Sequence, residues 1–376
     1  MMHSVNGRRA LIGLLVLLTG AMLVLAGCTH RGGNPPERVA VTQASEFTGN
    51  AVCVECHASE SATHRGSRHD LTMHAATRAE LGSLTPKAGV VPLAGYALED
   101  RGGTLAIVRE SLDTSKPEMQ MLQLALGSGK VGLTFVSFLS ADTMLETHMS
   151  YFPAYDLWDI TPGQEVKRAD DVPFGRIHSG ETARKCVSCH AVTVPERSLQ
   201  PDSRLYGVGC EACHGAGRAH LEAMRAKKFT EPHMENLAKL SSTHLNQLCG
   251  RCHRNIEDVD IKSGDGTKTH RFQPYALVRS ACRTRSGEPL SCMRCHDAHT
   301  DVSTDRKKYE QACLNCHAKS GTARPASADP SIRQSKVCPV NATSGCISCH
   351  MRPRRIFPGT TITSTLADHL ISIEHK

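Results

Sequence analysis

Large flat side chains are scarce in this chain. Phe, Tyr and Trp make up 4% of its 376 residues, with a single tryptophan, Trp158. Aromatic rings carry much of the apolar area of an ordinary protein core, so such a core is thin here and something else must supply flat apolar bodies. A zinc site would need paired Cys-x-x-Cys units or histidines at longer offsets, and a redox dithiol has no need of a histidine directly after its second cysteine every time. Both of those readings of the chain's 17 cysteines are set aside.

What the cysteines form instead is Cys-x-x-Cys-His, seven times over. The copies are CVECH (Cys53, Cys56, His57), CVSCH (Cys186, Cys189, His190), CEACH (Cys210, Cys213, His214), CGRCH (Cys249, Cys252, His253), CMRCH (Cys292, Cys295, His296), CLNCH (Cys313, Cys316, His317) and CISCH (Cys346, Cys349, His350). Chance, from 17 Cys and 21 His in 376 residues, predicts about 0.04 copies. The pattern is the attachment signature of c-type haem. Two thiols on one turn of backbone add to the two vinyl groups of one porphyrin edge, and the adjacent histidine reaches the iron. Seven covalent haem c groups are expected, and they supply the flat apolar mass that the side chains do not.

The first residues read as an export signal. Arg8 and Arg9 precede an apolar run over residues 10–25, which is short for a membrane span. Leu25-Ala26-Gly27-Cys28 resembles a bacterial lipobox, which implies cleavage before Cys28 and acylation of its thiol; an uncleaved anchor helix with an incidental cysteine is the alternative. Thr29 after the cysteine resembles lipoproteins sorted to an outer membrane. The expected location is the periplasmic side of a membrane, held by lipid. Cleavage leaves about 50 residues per haem, too few for independent domains, so the haems must share walls.

The formal charge of +7 loses Arg8 and Arg9 with the signal. Two propionates per haem against one positive charge per ferric iron then bring the mature protein to about −2 oxidised and about −9 reduced. Nucleic acid is therefore not expected as a partner, and clusters such as Arg306-Lys307-Lys308 read as solvated faces or propionate neighbours.

The chain divides into residues 1–27 (signal), 28–50 (flexible tether), 51–84 (first haem segment), 85–165 (β-rich insert) and 166–376 (six-haem cluster). In the first haem segment ESATHRGSRHDLTMHAATRAEL reads as helical. In the insert, TLAIVRESL, EMQMLQLALGSGKVGLTFVSFL and DTMLETHMSYF alternate or are β-branched, and glycine pairs break them into antiparallel hairpins. The expected fold is a mainly α and irregular multihaem cytochrome c with a small antiparallel β insert and a haem-packed core. The motifs starting at Cys186 and Cys210, and at Cys292 and Cys313, are closest in sequence and are expected to hold the most closely packed haems.

These residues resemble the periplasmic multihaem cytochromes c related to the tetrahaem cytochrome of ammonia oxidation and the pentahaem nitrite reductase. The matching stretches are CVECHASESATHRGSRHDLTM, LALGSGKVGLTF, SYFPAYDLWDITPG, CEACHGAGRAH, RFQPYALVRSAC, LSCMRCHDAHT, CISCHMRPR and LADHLI. By position the resemblance implies His69, His220, His270, His299 and His369 as distal iron ligands. Two more are to be found among His64, His74, His148, His178, His233, His244 and His375, with His178 and His244 first and Met73 behind them. All seven motifs end in His, so the lysine-ligated reactive iron of the nitrite reductases has no counterpart. Tyr151, Tyr275 and Tyr309 are read as structural rather than as a cross-link to a catalytic haem. Outside the motifs, Cys282 and Cys338 are expected to form a disulfide in an oxidising compartment, with a pair of free thiols as the alternative.

Two functions follow. One is a lipid-anchored electron carrier between periplasmic or membrane redox proteins, with mostly bis-His haems. The other is a reductase of a small nitrogen or sulfur oxyanion or of hydroxylamine at one five-coordinate haem, for which Arg184, Lys185 and Arg251 are the nearby cations.

Overall fold

The computed structural model describes residues 43–87, 95–110, 117–231, 233–255, 271–285, 290–317, 338–341 and 343–372. Cys28, His270 and His375, the signal and most of the tether lie outside these. Among the described residues no helix is long and apolar enough to cross a membrane.

Helices and antiparallel sheets are mixed. The first haem segment holds α1 (Asn50–Cys53) and α2 (Ala58–His64), then strand β1 (Met73–Ala75) and α3 (Arg78–Leu81). The helix expected across this segment is thus interrupted. Gly66 takes φ +73°, a conformation open to glycine that ends the turn, and β1 then pairs with a distant strand.

Strands β2 (Tyr96–Arg101), β3 (Thr104–Arg109) and β4 (Glu118–Met121) form a three-stranded meander. Strands β5 (Leu124–Leu126), β6 (Leu133–Phe138), β7 (Thr143–Phe152), β8 (Leu157–Ile160) and β9 (Gly175–Ser179) join β1 in a six-stranded sheet. Its order is β1-β5-β6-β7-β8, and β9 pairs with the first half of β7. The sheet is larger than a self-contained insert because it recruits a strand on either side of residues 85–165. A register shift between Thr134 and Val136 interrupts the pairing of β6 with β7 and marks a bulge, which bends the sheet locally.

Both faces of this sheet are covered. Leu133, Phe135, Tyr151 and Trp158 pack with Leu98, Leu105 and Ile107 of the three-stranded sheet. On the opposite face Leu124, Leu126, Val136 and Met144 pack with Met73 and with Ala183 and Val187 of helix α4 (Gly180–Ser188). That helix carries the second cysteine motif, so the sheet seats it directly.

The remaining chain is mostly short helices: α5 (Cys210–His214), α6 (Arg218–Arg225), α7 (Ser242–His253), α8 (Gln273–Arg279), α9 (Ala281–Arg285), α10 (Arg306–His317) and α11 (Cys346–His350). A small hairpin of β10 (Pro353–Arg355) and β11 (Thr365–Ala367) follows. Buried hydrophobic residues concentrate between Met73 and Leu205; past that point the described chain buries only Ala223, Tyr275, Ala276, Leu277, Ile347, Phe357 and Ile362.

Candidate haem sites

Each described motif closes a helical turn. The His57, His190 and His296 amides bond back to Cys53, Val187 and Cys292. The third and seventh motifs are helices α5 and α11, and the fourth and sixth end α7 and α10. Residues i, i+3 and i+4 of such a turn share one face. That places both thiols and the imidazole of a motif on the same side.

Opposite four of these imidazoles stands a second one. An imidazole nitrogen ligates a metal at about 2 Å and lies about 1.1 Å from its own ring centre, so two rings on opposite faces of one iron have centres about 6.2 Å apart. Ring centres of His57 and His220 are 6.3 Å apart, His69 and His253 6.1 Å, His214 and His299 6.2 Å, and His296 and His369 6.1 Å. Each pair joins a motif histidine to one from elsewhere in the chain. A pair supplies only two donors, and among the described residues no group of three or more His, Cys, Asp or Glu is placed to hold a bare metal ion. The donor set therefore fits an iron whose other four ligands come from a porphyrin.

Hydrogen bonds orient several rings for this task. The Nδ1 atoms of His190, His350 and His369 lie 2.8, 2.9 and 3.0 Å from the carbonyls of Thr72, Ser372 and Ala367. His214 Nδ1 lies 3.4 Å from the Glu235 carbonyl and His253 Nδ1 3.3 Å from Gln273 Oε1. An N–H at Nδ1 leaves Nε2 as a lone-pair donor. Burial also favours the neutral ring. Together with the facing His253 it lowers His69 to about 4, and together with His296 it lowers His369 to about 4. Asp301 ties these loops down: it accepts from Arg68 at 2.7 Å, next to His69, and from Lys130 at 2.6 Å.

The other candidate histidines are engaged differently. His148 has Gln164 Oε1 at 2.8 Å and the Val172 carbonyl at 3.0 Å, which occupies both nitrogens. His178 Nε2 meets Glu146 at 3.1 Å, and His244 Nδ1 meets Ser241 Oγ at 3.1 Å. His64 lies 4.0 Å from Asp70, His233 3.5 Å from Glu231, and the buried His74 3.8 Å from Glu80. Met73 packs in the apolar cluster beside Cys186. Among the described residues neither His190 nor His350 faces a second imidazole.

Two of the three cations near the motifs are tied to backbone carbonyls, and the third makes a solvent-exposed ion pair. Arg184 donates to the carbonyls of Val194, Pro195 and Glu196, Arg251 to that of Ala212 at 2.8 Å, and Lys185 pairs with Glu181. Tyr151 donates to Asp156, Tyr275 accepts from Arg279, and Tyr309 accepts from the Ser303 amide. Cys282 and Cys338 are free thiols in the structure. Their surroundings differ, with Cys282 beside Cys295 and Cys313 and Cys338 beside Cys346.

Thiols of different motifs also meet. Cys53 is hydrogen-bonded to Cys210, Cys249 to Cys292, Cys189 to Cys252 and Cys313 to Cys346. Sharing a proton with Cys53 brings Cys210 down to about 7, and Cys292 does the same for Cys249. The second motif's Cys189 meets the fourth motif's Cys252, and the third motif's Cys210 meets the first motif's Cys53.

The chain is similar in part to known proteins. Residues 147–215, which span the second and third motifs, match the family Cytochrome c554 and c-prime. Cytochrome c-554 of Nitrosomonas europaea is 31% identical over a stretch covering 23% of this chain and 41% of its own length, so the alignment spans less than half of that relative. The solved structure of the outer cell wall cytochrome OcwA superposes with a TM-score of 0.50 at 14% identity, covering 87% of this chain and 79% of that one. The matches support a multihaem cytochrome c family. Such a family implies covalently bound haem c, and the OcwA likeness extends the shared fold over most of the chain.

Proposed function

We propose that this protein is a heptahaem c-type electron carrier, exported and anchored by lipid on Cys28, that moves electrons between redox partners at a membrane. The observation that carries this reading is the set of four histidine pairs with ring centres 6.1–6.3 Å apart. Bound haem would supply reversible one-electron chemistry at iron. The fourteen motif cysteines would hold the groups by thioether bonds. Motif histidines would ligate from one side and His220, His69, His299 and His369 from the other, leaving those irons no open position. Carbonyls on Nδ1 would raise ligand basicity and fix ring orientation.

The sparse polypeptide core beyond Leu205 supports haem as the interior of that half. Thiol contacts group motif one with three, two with four and five, and six with seven, and the nearness of Cys213 to Cys249 and of Cys295 to Cys313 links these groups, which supports a continuous haem array. Export follows from the amino-terminal pattern, and the named neighbour OcwA is itself a cell wall cytochrome.

EPR of the oxidised protein tests the reading. Low-spin ferric signals are expected to dominate. A high-spin ferric signal that nitrite or hydroxylamine perturbs would favour the oxyanion or hydroxylamine reductase instead, with the iron of His190 or His350 as its site.

A further inference from the structure

Three motifs carry a polar acceptor at the same place, three residues before their first cysteine. These are Asn50 before Cys53, Asn246 before Cys249 and Glu310 before Cys313. None of the three serves its own motif. Asn50 Oδ1 accepts from the Cys210 amide at 2.9 Å, Asn246 Oδ1 from the Cys292 amide at 3.0 Å, and Glu310 Oε1 from the Ile347 amide at 3.4 Å. Each recipient amide lies in the first turn of another motif, where no partner exists within the turn itself. The recipients are the motifs whose first thiols touch: Cys53 with Cys210, Cys249 with Cys292, and Cys313 with Cys346.

Packing shows how closely the acceptors are built in. Asn246 and Glu310 are 5% and 7% exposed, and Asn246 also donates to the Leu290 carbonyl at 2.9 Å, so its amide grips both sides of the turn. A Cβ on Gly209 would come within 2.3 Å of Asn50 Oδ1, so only glycine admits the asparagine there. The second motif supplies the contrast. It has Ala183 in that place, buried in the apolar cluster, and it meets the fourth motif through second cysteines, Cys189 with Cys252.

We infer that Asn50, Asn246 and Glu310 are positioning residues, a clamp used three times, which holds motif one to three, four to five and six to seven at fixed spacing and so sets the coupling within three haem pairs. The inference rests on haem attachment at the seven motifs. One side chain per pair replaces the first-turn water of the recipient and locks two thioether-bearing turns edge to edge.

The test uses the mature holoprotein with the single variants N50L, N246L and E310L, and with N246D and E310Q, which keep an acceptor oxygen. Haem content is counted by the pyridine haemochrome assay, and coupling between neighbouring haems is read from the Soret circular dichroism couplet. Each leucine variant is expected to keep its haems and lose part of the couplet, while N246D and E310Q retain it. An unchanged couplet in all three leucine variants at full haem load overturns the inference and leaves the electron-carrier reading intact, whereas a wild-type protein without haem overturns that reading first. Hydrogen exchange of wild-type holoprotein decides the matter even where a variant loads poorly. The Cys210, Cys292 and Ile347 amides are expected to exchange at least about tenfold more slowly than solvated helix ends; exchange at the solvated rate contradicts the clamp.

Discussion

Glu211, inside the third motif, ties the start of the described chain to that motif. It is 2% exposed and accepts from the Thr48 amide at 2.9 Å, the Gly49 amide at 2.8 Å and the Gly217 amide at 2.7 Å. E211A strands these donors. Thr48 is part-exposed and regains water, but Gly49 and Gly217 are buried, and two stranded buried amides cost together about 3 kcal/mol. For a chain of this size that lowers Tm by about 4 °C. E211Q keeps one oxygen and turns an NH2 toward the remaining donors, so it should lose about half as much. The damage also reaches a candidate ligand, since Gly217 leads into α6 and His220, which faces His57. Thermal unfolding of the holoprotein followed by far-UV circular dichroism, with haem counted in the same samples, is the assay. A Tm for E211A within about 1 °C of wild type at full haem load would refute the reasoning.

Replacing His299 by alanine removes the ring facing His214 and should add a high-spin ferric EPR signal, while H148A, whose ring only bonds Gln164 and Val172, should lower Tm and leave the spectrum unchanged. The reverse pattern would contradict the ligand assignment. Asp171 is 2.8 Å from Arg176, with both side chains almost fully buried, and the guanidinium, helped by the Arg168 amide, holds its carboxyl well below the usual range. A depressed pKa stabilises above the unfolded value of about 3.9 and is lost as pH falls through the folded value. D171N should therefore lower Tm at pH 7, and its deficit against wild type should shrink progressively below about pH 4; a pH-independent deficit contradicts the ion-pair account. G207A forces a Cβ to 2.1 Å from the Asp70 carbonyl at φ +78° and should reduce holoprotein yield between motifs two and three, whereas wild-type yield would show that the contact yields easily. Thiol titration of denatured holoprotein should find no free groups, as a Cys282–Cys338 bridge requires, and two free groups would contradict that bridge.

The seven motifs were legible because the attachment chemistry they imply demands a fixed short spacing that survives in one dimension. The histidines that face them were legible only as candidates. His57 meets His220 and His69 meets His253 through folding of distant segments, and nothing local to GSRH or GRAH names the motif each one serves. Strand β1 was misread because Met73-His74-Ala75 sits in a stretch with helix-like spacing; its pairing with Leu124–Leu126 overrides that local pattern. The glycine-punctuated hairpins between Tyr96 and Phe152 were readable, while the recruitment of Gly175–Ser179 to the same sheet was not, since β9 pairs with β7 across a long connection. Which thiols meet was not legible in the sequence either: the sheet seats helix α4, and Cys189 turns to Cys252. The acceptors Asn50, Asn246 and Glu310 stood in plain view at one offset, and only the fold shows that each serves a different motif.

Intact mass spectrometry of protein purified from a host able to attach haem c tests the central claim most directly. A polypeptide beginning at lipidated Cys28 and heavier by seven haem adducts is predicted. A mass without tetrapyrrole adducts, or with haem lost on denaturation, would contradict it.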